Sequence, residues 1–124
     1  MKKLIIYLSI IVVLFAGLYV LNVAANGSTD NPYGIREGKL SPLTRAQFNN
    51  PNYQNIITPD QLESKLDDGY TGFIFFFKPD CPHCVATVPL LAPIIDELNI
   101  DMPMYNLLEF PEGWSDYNLQ YTPT

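Results

Sequence analysis

Apolar positions are distributed along this chain in three ways, and each predicts a different element. Residues 4–25 are almost continuously apolar, carry no charge, and are relieved only by Ser9, Gly17 and Asn22. As a helix rising ~1.5 Å per residue the run spans about 33 Å, enough for a bilayer core of ~30 Å. Phe73-Ile74-Phe75-Phe76-Phe77 is a shorter block. Five apolar residues in a row predict a strand buried on both faces, from roughly Gly72 to Phe77. The remaining apolar residues fall mostly at helical spacing. Thr58-Pro59-Asp60-Gln61 is a helix start, with Thr58 capping, Pro59 at the first position and Gln61 completing a capping box. Leu62 and Leu66 would face the core, and Asp67-Asp68-Gly69 would end that helix. A second helix is expected from about Cys84 to Leu98, with Val88, Leu91, Ile95 and Leu98 inward. Pro89 and Pro93 lie inside it and predict a bend, or a break near Pro93. Met102 to Leu108 reads as a strand beside Phe73–Phe77, and Pro111 to Leu119 as a loop or short irregular helix.

The stretch between the first run and the second is different. Residues 26–55 are rich in Asn, Pro, Gly and Ser and keep no period, so they read as a spacer. Within them Asn26-Gly27-Ser28 fits a glycosylation triplet, and Ser41-Pro42 would cap one turn of helix through Phe48. The expected organisation is therefore an apolar N-terminal segment (1–25), a linker (26–55) and a folded unit (56–124).

Charge adds direction. Lys2 and Lys3 are the only charges ahead of Asp30 in a chain of 124 residues and net charge −6. Basic residues before an apolar run predict the N-terminus inside and the remainder outside. Two forms of this remain open. One is an uncleaved signal anchor, membrane-embedded through residues 4–25. The other is a signal peptide cut after Ala25, following the small-residue exit Val23-Ala24-Ala25. No cysteine lies near the segment, which excludes a lipoprotein anchor. All thirteen acidic side chains lie beyond residue 26. That surface argues against nucleic acid and anionic lipid as partners.

The candidate chemistry sits where the strand block meets the second helix. Both cysteines of the chain lie in Cys81-Pro82-His83-Cys84. A thiol at a helix N-terminus faces unpaired N–H groups and the positive end of the dipole, which favour the thiolate. Cys81 is thus the expected nucleophile and Cys84 the resolving thiol. His83, when protonated, would stabilise the thiolate, Asp80 would oppose it, and Lys78 would offset Asp80. A bridge across so short a loop is worth roughly 2 kcal/mol and is a poor staple. The motif offers two Cys and one His, short of the four ligands zinc takes, so no metal or other cofactor is expected.

Three features together resemble the thioredoxin superfamily over about residues 58–124. They are Cys81-Pro82-His83-Cys84 after a buried strand, Pro89 five residues beyond the second cysteine, and Tyr117-Asn118-Leu119-Gln120-Tyr121-Thr122-Pro123-Thr124. The last is similar to the family's approach to its cis-proline. The Cys-Pro-His-Cys motif is similar to DsbA-type oxidases. The anchor and linker look like membrane-tethered extracytoplasmic thioredoxin-like proteins, including bacteriocin-transport accessory proteins. The resemblance implies an α/β thioredoxin-like fold, preceded by one transmembrane helix. It implies a redox-active Cys81–Cys84 disulfide supported by Pro82 and His83. Thr122 and a cis Pro123 would present backbone to an extended substrate. The implied activity is thiol–disulfide exchange on exported proteins or peptides with cysteines, re-set by a redox partner protein. The alternative is a non-enzymatic accessory module that binds an exported peptide. Phe75 stands where thioredoxin carries a buried Asp, and Asp80 where it carries Trp. The family's sheet continues past the cis-proline into a hairpin and a last helix, so the expected unit is incomplete at Thr124.

Overall fold

In a computed structural model, residues 1–27 and 29–124 are described. The Asn26-Gly27-Ser28 triplet therefore lies outside the described residues as a motif. Helix α1 (Lys2–Asn26) is long and apolar enough to cross a membrane, and no part of its Lys2–Ala25 span is buried against protein. It ends at Gly27, whose φ of 70° suits glycine. A Cβ there would also meet Glu37 Cβ at 3.0 Å.

The rest is a mixed helix and sheet structure. Strands β1 (Phe75–Phe77) and β2 (Met104–Asn106) pair in parallel, Phe75 opposite Met104 and Phe77 opposite Asn106. Parallel strands need a crossover, and α4 (Pro82–Leu98) lies between them in sequence. Two further segments extend the array by single contacts. Ile56 bridges Met104 in parallel, through Ile57 N–H to Met104 O (2.9 Å) and Met104 N–H to Asn55 O (2.8 Å). On the other edge Phe76 and Thr124 exchange both backbone hydrogen bonds, at 2.8 and 3.1 Å. That reciprocity is the closely spaced pair of an antiparallel ladder. The spatial order is Ile56, β2, β1, Thr124.

Side chains alternate across the sheet and build two clusters. Phe76 and Tyr105 pack with Leu62, Leu107 and Phe110 on one face. Phe75, Phe77 and Met104 pack with Cys84 and Val88 of α4 on the other. Helix α3 (Pro59–Asp67) starts with the Thr58–Gln61 capping box and buries Leu62 completely.

The expected strand is too long at its start. Phe73 is 63 % exposed, because the Tyr70 hydroxyl bonds the carbonyls of Phe73 (3.1 Å) and Asp101 (3.0 Å) and holds this stretch as a loop. Sheet pairing begins only at Phe75 N–H to Pro103 O, 2.8 Å. Leu66 and Leu98, expected inward, are 45 % and 62 % exposed. Each lies in the last turn of its helix, and α4, at ~1.5 Å per residue, far outruns strands of three residues. Helix α4 is continuous through Pro89 and Pro93. Both prolines are exposed, so the carbonyls they leave unbonded are open to water.

The spacer expectation is also corrected. Tyr33, Leu40, Thr44 and Tyr53 are buried. Helix α2 (Pro42–Ala46), capped by Ser41, is clamped by Glu109, whose Oε1 accepts from Ser41 N (2.8 Å) and Thr44 Oγ1 (2.6 Å). Fully buried Asn106 donates to Tyr33 Oη (3.0 Å) and Thr44 Oγ1 (3.2 Å) and accepts from Leu108 N–H (2.9 Å). Tyr53 packs on Phe77 with ring centroids 5.4 Å apart. The segment is held by isolated anchors between short turns, which leave no period to read.

Candidate functional site

Strand β1 delivers the chain to the site. Lys78 follows it, and Cys81 N–H bonds back to Lys78 O at 3.1 Å, turning the backbone. Cys81 is then the N-cap of α4 and Pro82 its first residue, a position where a missing N–H costs nothing. This turn separates the two thiols by environment. Cys81 is partly exposed, whereas Cys84, one turn into the helix, is fully buried among Phe77, Val88 and Tyr53.

The two sulfurs are pushed in opposite directions. The Cys81 thiol is lowered from 9.0 to about 7. The Thr122 side chain is the largest cause, followed by the Cys84 backbone N–H, with a smaller part from the His83 backbone N–H. These N–H groups do not close a full capping hydrogen bond on the sulfur. They face it from the open end of the helix, where the dipole favours negative charge. A second contact with Thr122 works the other way: Cys81 Sγ–H points to the Thr122 carbonyl at 3.7 Å, which favours the thiol. The net direction, with the Cys84 and His83 contributions included, is downward. Cys84 is raised, first by burial, and the neighbouring Cys81 adds to it.

Thr122 arrives from 41 residues away, and its peptide bond to Pro123 is cis. Pairing of Thr124 with Phe76 sets its position, since that tie brings the final segment alongside β1 just before the cysteines. The Thr124 hydroxyl also bonds the Tyr121 carbonyl within this turn.

Each residue singled out from the sequence can now be located. Cys81, Cys84, Pro82 and Thr122 converge at the mouth of α4, with Pro123 adjoining. The His83 side chain is exposed, and His83 acts on the sulfur through its backbone rather than a charged ring. Asp80 is paired with Lys78 at 3.5 Å and is not among the influences on Cys81. Trp114 is half-buried against the core cluster of Phe76 and Tyr105. What the sequence reading missed was the role of the Thr122 side chain toward the sulfur. Only a motif spanning both segments connects them, because nothing local to Thr122 signals a cysteine.

Cys81 is therefore an accessible thiol ionising near neutrality, backed by a buried, protonated thiol within reach along one helical turn. Such a pair can attack a disulfide and then close on itself. No protein-family model matches the chain, and no solved structure matches it.

Proposed function

We propose that this chain is a membrane-tethered, thioredoxin-like thiol–disulfide oxidoreductase acting on exported proteins. Residues 4–25 serve as the anchor, and the lysines at its start keep the N-terminus inside. The observation that carries the proposal is the asymmetry of the two sulfurs. Cys81 is partly exposed and lowered to about 7, while Cys84 is buried and raised. Further support comes from the parallel β1–α4–β2 unit, and from the Thr122–Pro123 segment lying against the first sulfur.

In the reducing direction the Cys81 thiolate attacks one sulfur of a substrate disulfide. That bond breaks, the departing sulfur takes a proton, and a mixed disulfide joins Cys81 to the substrate. Cys84 then loses its proton and attacks Cys81 Sγ, releasing the second substrate thiol. One substrate disulfide becomes two thiols, and the Cys81–Cys84 pair becomes a disulfide. Reversal of both steps delivers a disulfide to the substrate, and a redox partner protein re-sets the pair. A thiol near 7 is about half ionised at neutral pH, close to the optimum for exchange. It makes the disulfide a milder oxidant than one whose thiol falls to ~3.5.

The test uses the full chain in detergent micelles with glutathione disulfide. Cys84→Ser is expected to accumulate a mixed disulfide with glutathione at Cys81, whereas the unaltered chain passes on to the Cys81–Cys84 disulfide. If iodoacetamide at pH 6 labels Cys81 no faster than a peptide cysteine, or Cys84→Ser traps no glutathione, the proposal fails.

A further inference from the structure

We propose that the Lys78 backbone N–H and the Thr122 hydroxyl together receive the Cys84 thiolate in the resolving step, Thr122 passing its hydrogen bond from one sulfur to the other. This rests on the thiol–disulfide exchange proposed above and names the groups that make its second half feasible.

The difficulty lies in where Cys84 sits. Its sulfur must lose a proton to attack, yet the residue is completely buried. Burial opposes ionisation unless the charge is met by donors. The cluster around it, built on Phe75, Phe77, Val88 and Met104, holds no carboxylate and no imidazole. Besides Cys81, its titratable member is Tyr53, which burial and the nearness of Cys84 push upward, so it stays a neutral phenol. The Lys78 and Asp80 side chains pair with each other at 3.5 Å, and the His83 side chain is exposed. Among the described residues no base waits beside the buried sulfur.

The sheet register supplies two donors instead. Phe76 and Thr124 exchange both backbone hydrogen bonds, at 2.8 and 3.1 Å. In an antiparallel ladder the residues two further along come opposite each other, so Lys78 falls opposite Thr122. These two do not exchange bonds, and the Lys78 N–H has no oxygen acceptor among the described residues. It is turned to Cys84 Sγ, while the Cys81 N–H holds Lys78 in place through its carbonyl at 3.1 Å. Thr122 is fixed beside the pair by its own carbonyl, 3.7 Å from Cys81 Sγ. Its hydroxyl acts on both sulfurs and favours the thiolate of each.

At rest burial, with Cys81 beside it, outweighs both donors, and Cys84 stays protonated while Thr122 serves Cys81. Once Cys81 is joined to the substrate its sulfur carries no charge, so the hydroxyl is released to Cys84. The Cys84 S–H bond then breaks and Cys84 Sγ bonds to Cys81 Sγ. The bond from Cys81 to the substrate breaks, and the departing sulfur takes up one proton. A fixed N–H and a hydroxyl aimed at a developing anion in a dry site are the sulfur counterpart of an oxyanion hole.

The experiment mixes the reduced full chain, in detergent micelles at pH 7, with glutathione disulfide. Acid quenching and mass spectrometry follow the mixed disulfide at Cys81, its formation reading attack and its decay reading resolution. Thr122→Val should lengthen its lifetime about threefold: the Cys84 thiolate becomes about tenfold scarcer, and the more basic sulfur recovers about threefold in reactivity. Thr122→Ser, which keeps the hydroxyl, should restore the lifetime of the unaltered chain. In Cys81→Ser, where one thiol remains, the Cβ carbon NMR signal of Cys84 should titrate about one pH unit higher when Thr122→Val is added. A lifetime unchanged by Thr122→Val, a Thr122→Ser chain as slow as Thr122→Val, or a Cys84 midpoint that moves by less than about 0.3 would each overturn the assignment. Failure of Cys84→Ser to trap glutathione would instead sink the exchange itself, a result that none of these comparisons mimics.

Discussion

Replacing Thr122 by valine separates the long-range contribution to the Cys81 thiolate from the contribution of its own helix. Valine keeps the branched shape and the backbone carbonyl but removes the hydroxyl, the largest cause of a thiol lowered from 9.0 to about 7. A hydrogen bond to a charged group is worth ~1.5–3 kcal/mol, or about one to two pH units at 1.36 kcal/mol each. The sulfur is partly exposed and its field is screened, so the lower end applies and the midpoint should rise by about one, to ~8. At pH 6 the thiolate fraction then falls about tenfold. The more basic sulfur is about threefold more nucleophilic, so the alkylation rate drops only about threefold. The pH midpoint of iodoacetamide labelling, or of thiolate absorbance, is therefore the better readout. A midpoint that moves by less than about 0.3 would show that α4 alone sets the ionisation, and would refute the role given to Thr122. The sign for stability is also fixed. Because folding lowers this thiol, its contribution is complete above pH 9.0 and is lost as pH falls through about 7.

Other perturbations report on the frame around the site. Asn106→Leu leaves Tyr33, Thr44 and the Leu108 N–H without their buried partner and should cost about 3 kcal/mol in urea unfolding; a loss under ~1 would mean water replaces it. Gly113→Ala places a methyl 2.6 Å from Tyr105 Cε1 and 2.8 Å from Leu107 Cδ2, and should destabilise by ~1–3 kcal/mol, seen as a lowered urea midpoint. Burial pushes Tyr33 from 10.0 up to about 12, against a smaller opposing effect of its Asn106 hydrogen bond. Its stabilisation should be complete below pH 10.0 and be lost as pH rises through about 12, so urea midpoints should fall between pH 9 and 11, and fall less in Tyr33→Phe.

How much was legible beforehand differs by element. The apolar helix, the Thr58–Gln61 capping box and the junction of strand, cysteines and helix were readable because each is local: a run, a cap, or a change of period within a dozen residues. The convergence of Cys81 with Thr122 was legible only through a resemblance spanning both segments. The polar cluster of Tyr33, Thr44, Asn106 and Glu109 was invisible, since the hydrogen bonds that join it link residues 62 to 73 positions apart and no periodic pattern connects them.

Sequence by itself therefore determined which segment is apolar enough to cross a bilayer, and that the only two thiols open a helix behind a buried strand. Both follow from chain-local chemistry: uninterrupted hydrocarbon in one case, and unpaired N–H groups at a helix start in the other. Tertiary structure decided what sets the two expected thiols apart, because that depends on burying Cys84 and on bringing Thr122 to Cys81. It also decided that Tyr33, Leu40, Thr44 and Tyr53 are buried, within a stretch that reads as a spacer. Desolvation and distance act through space, and neither is written in the spacing of residues along a chain.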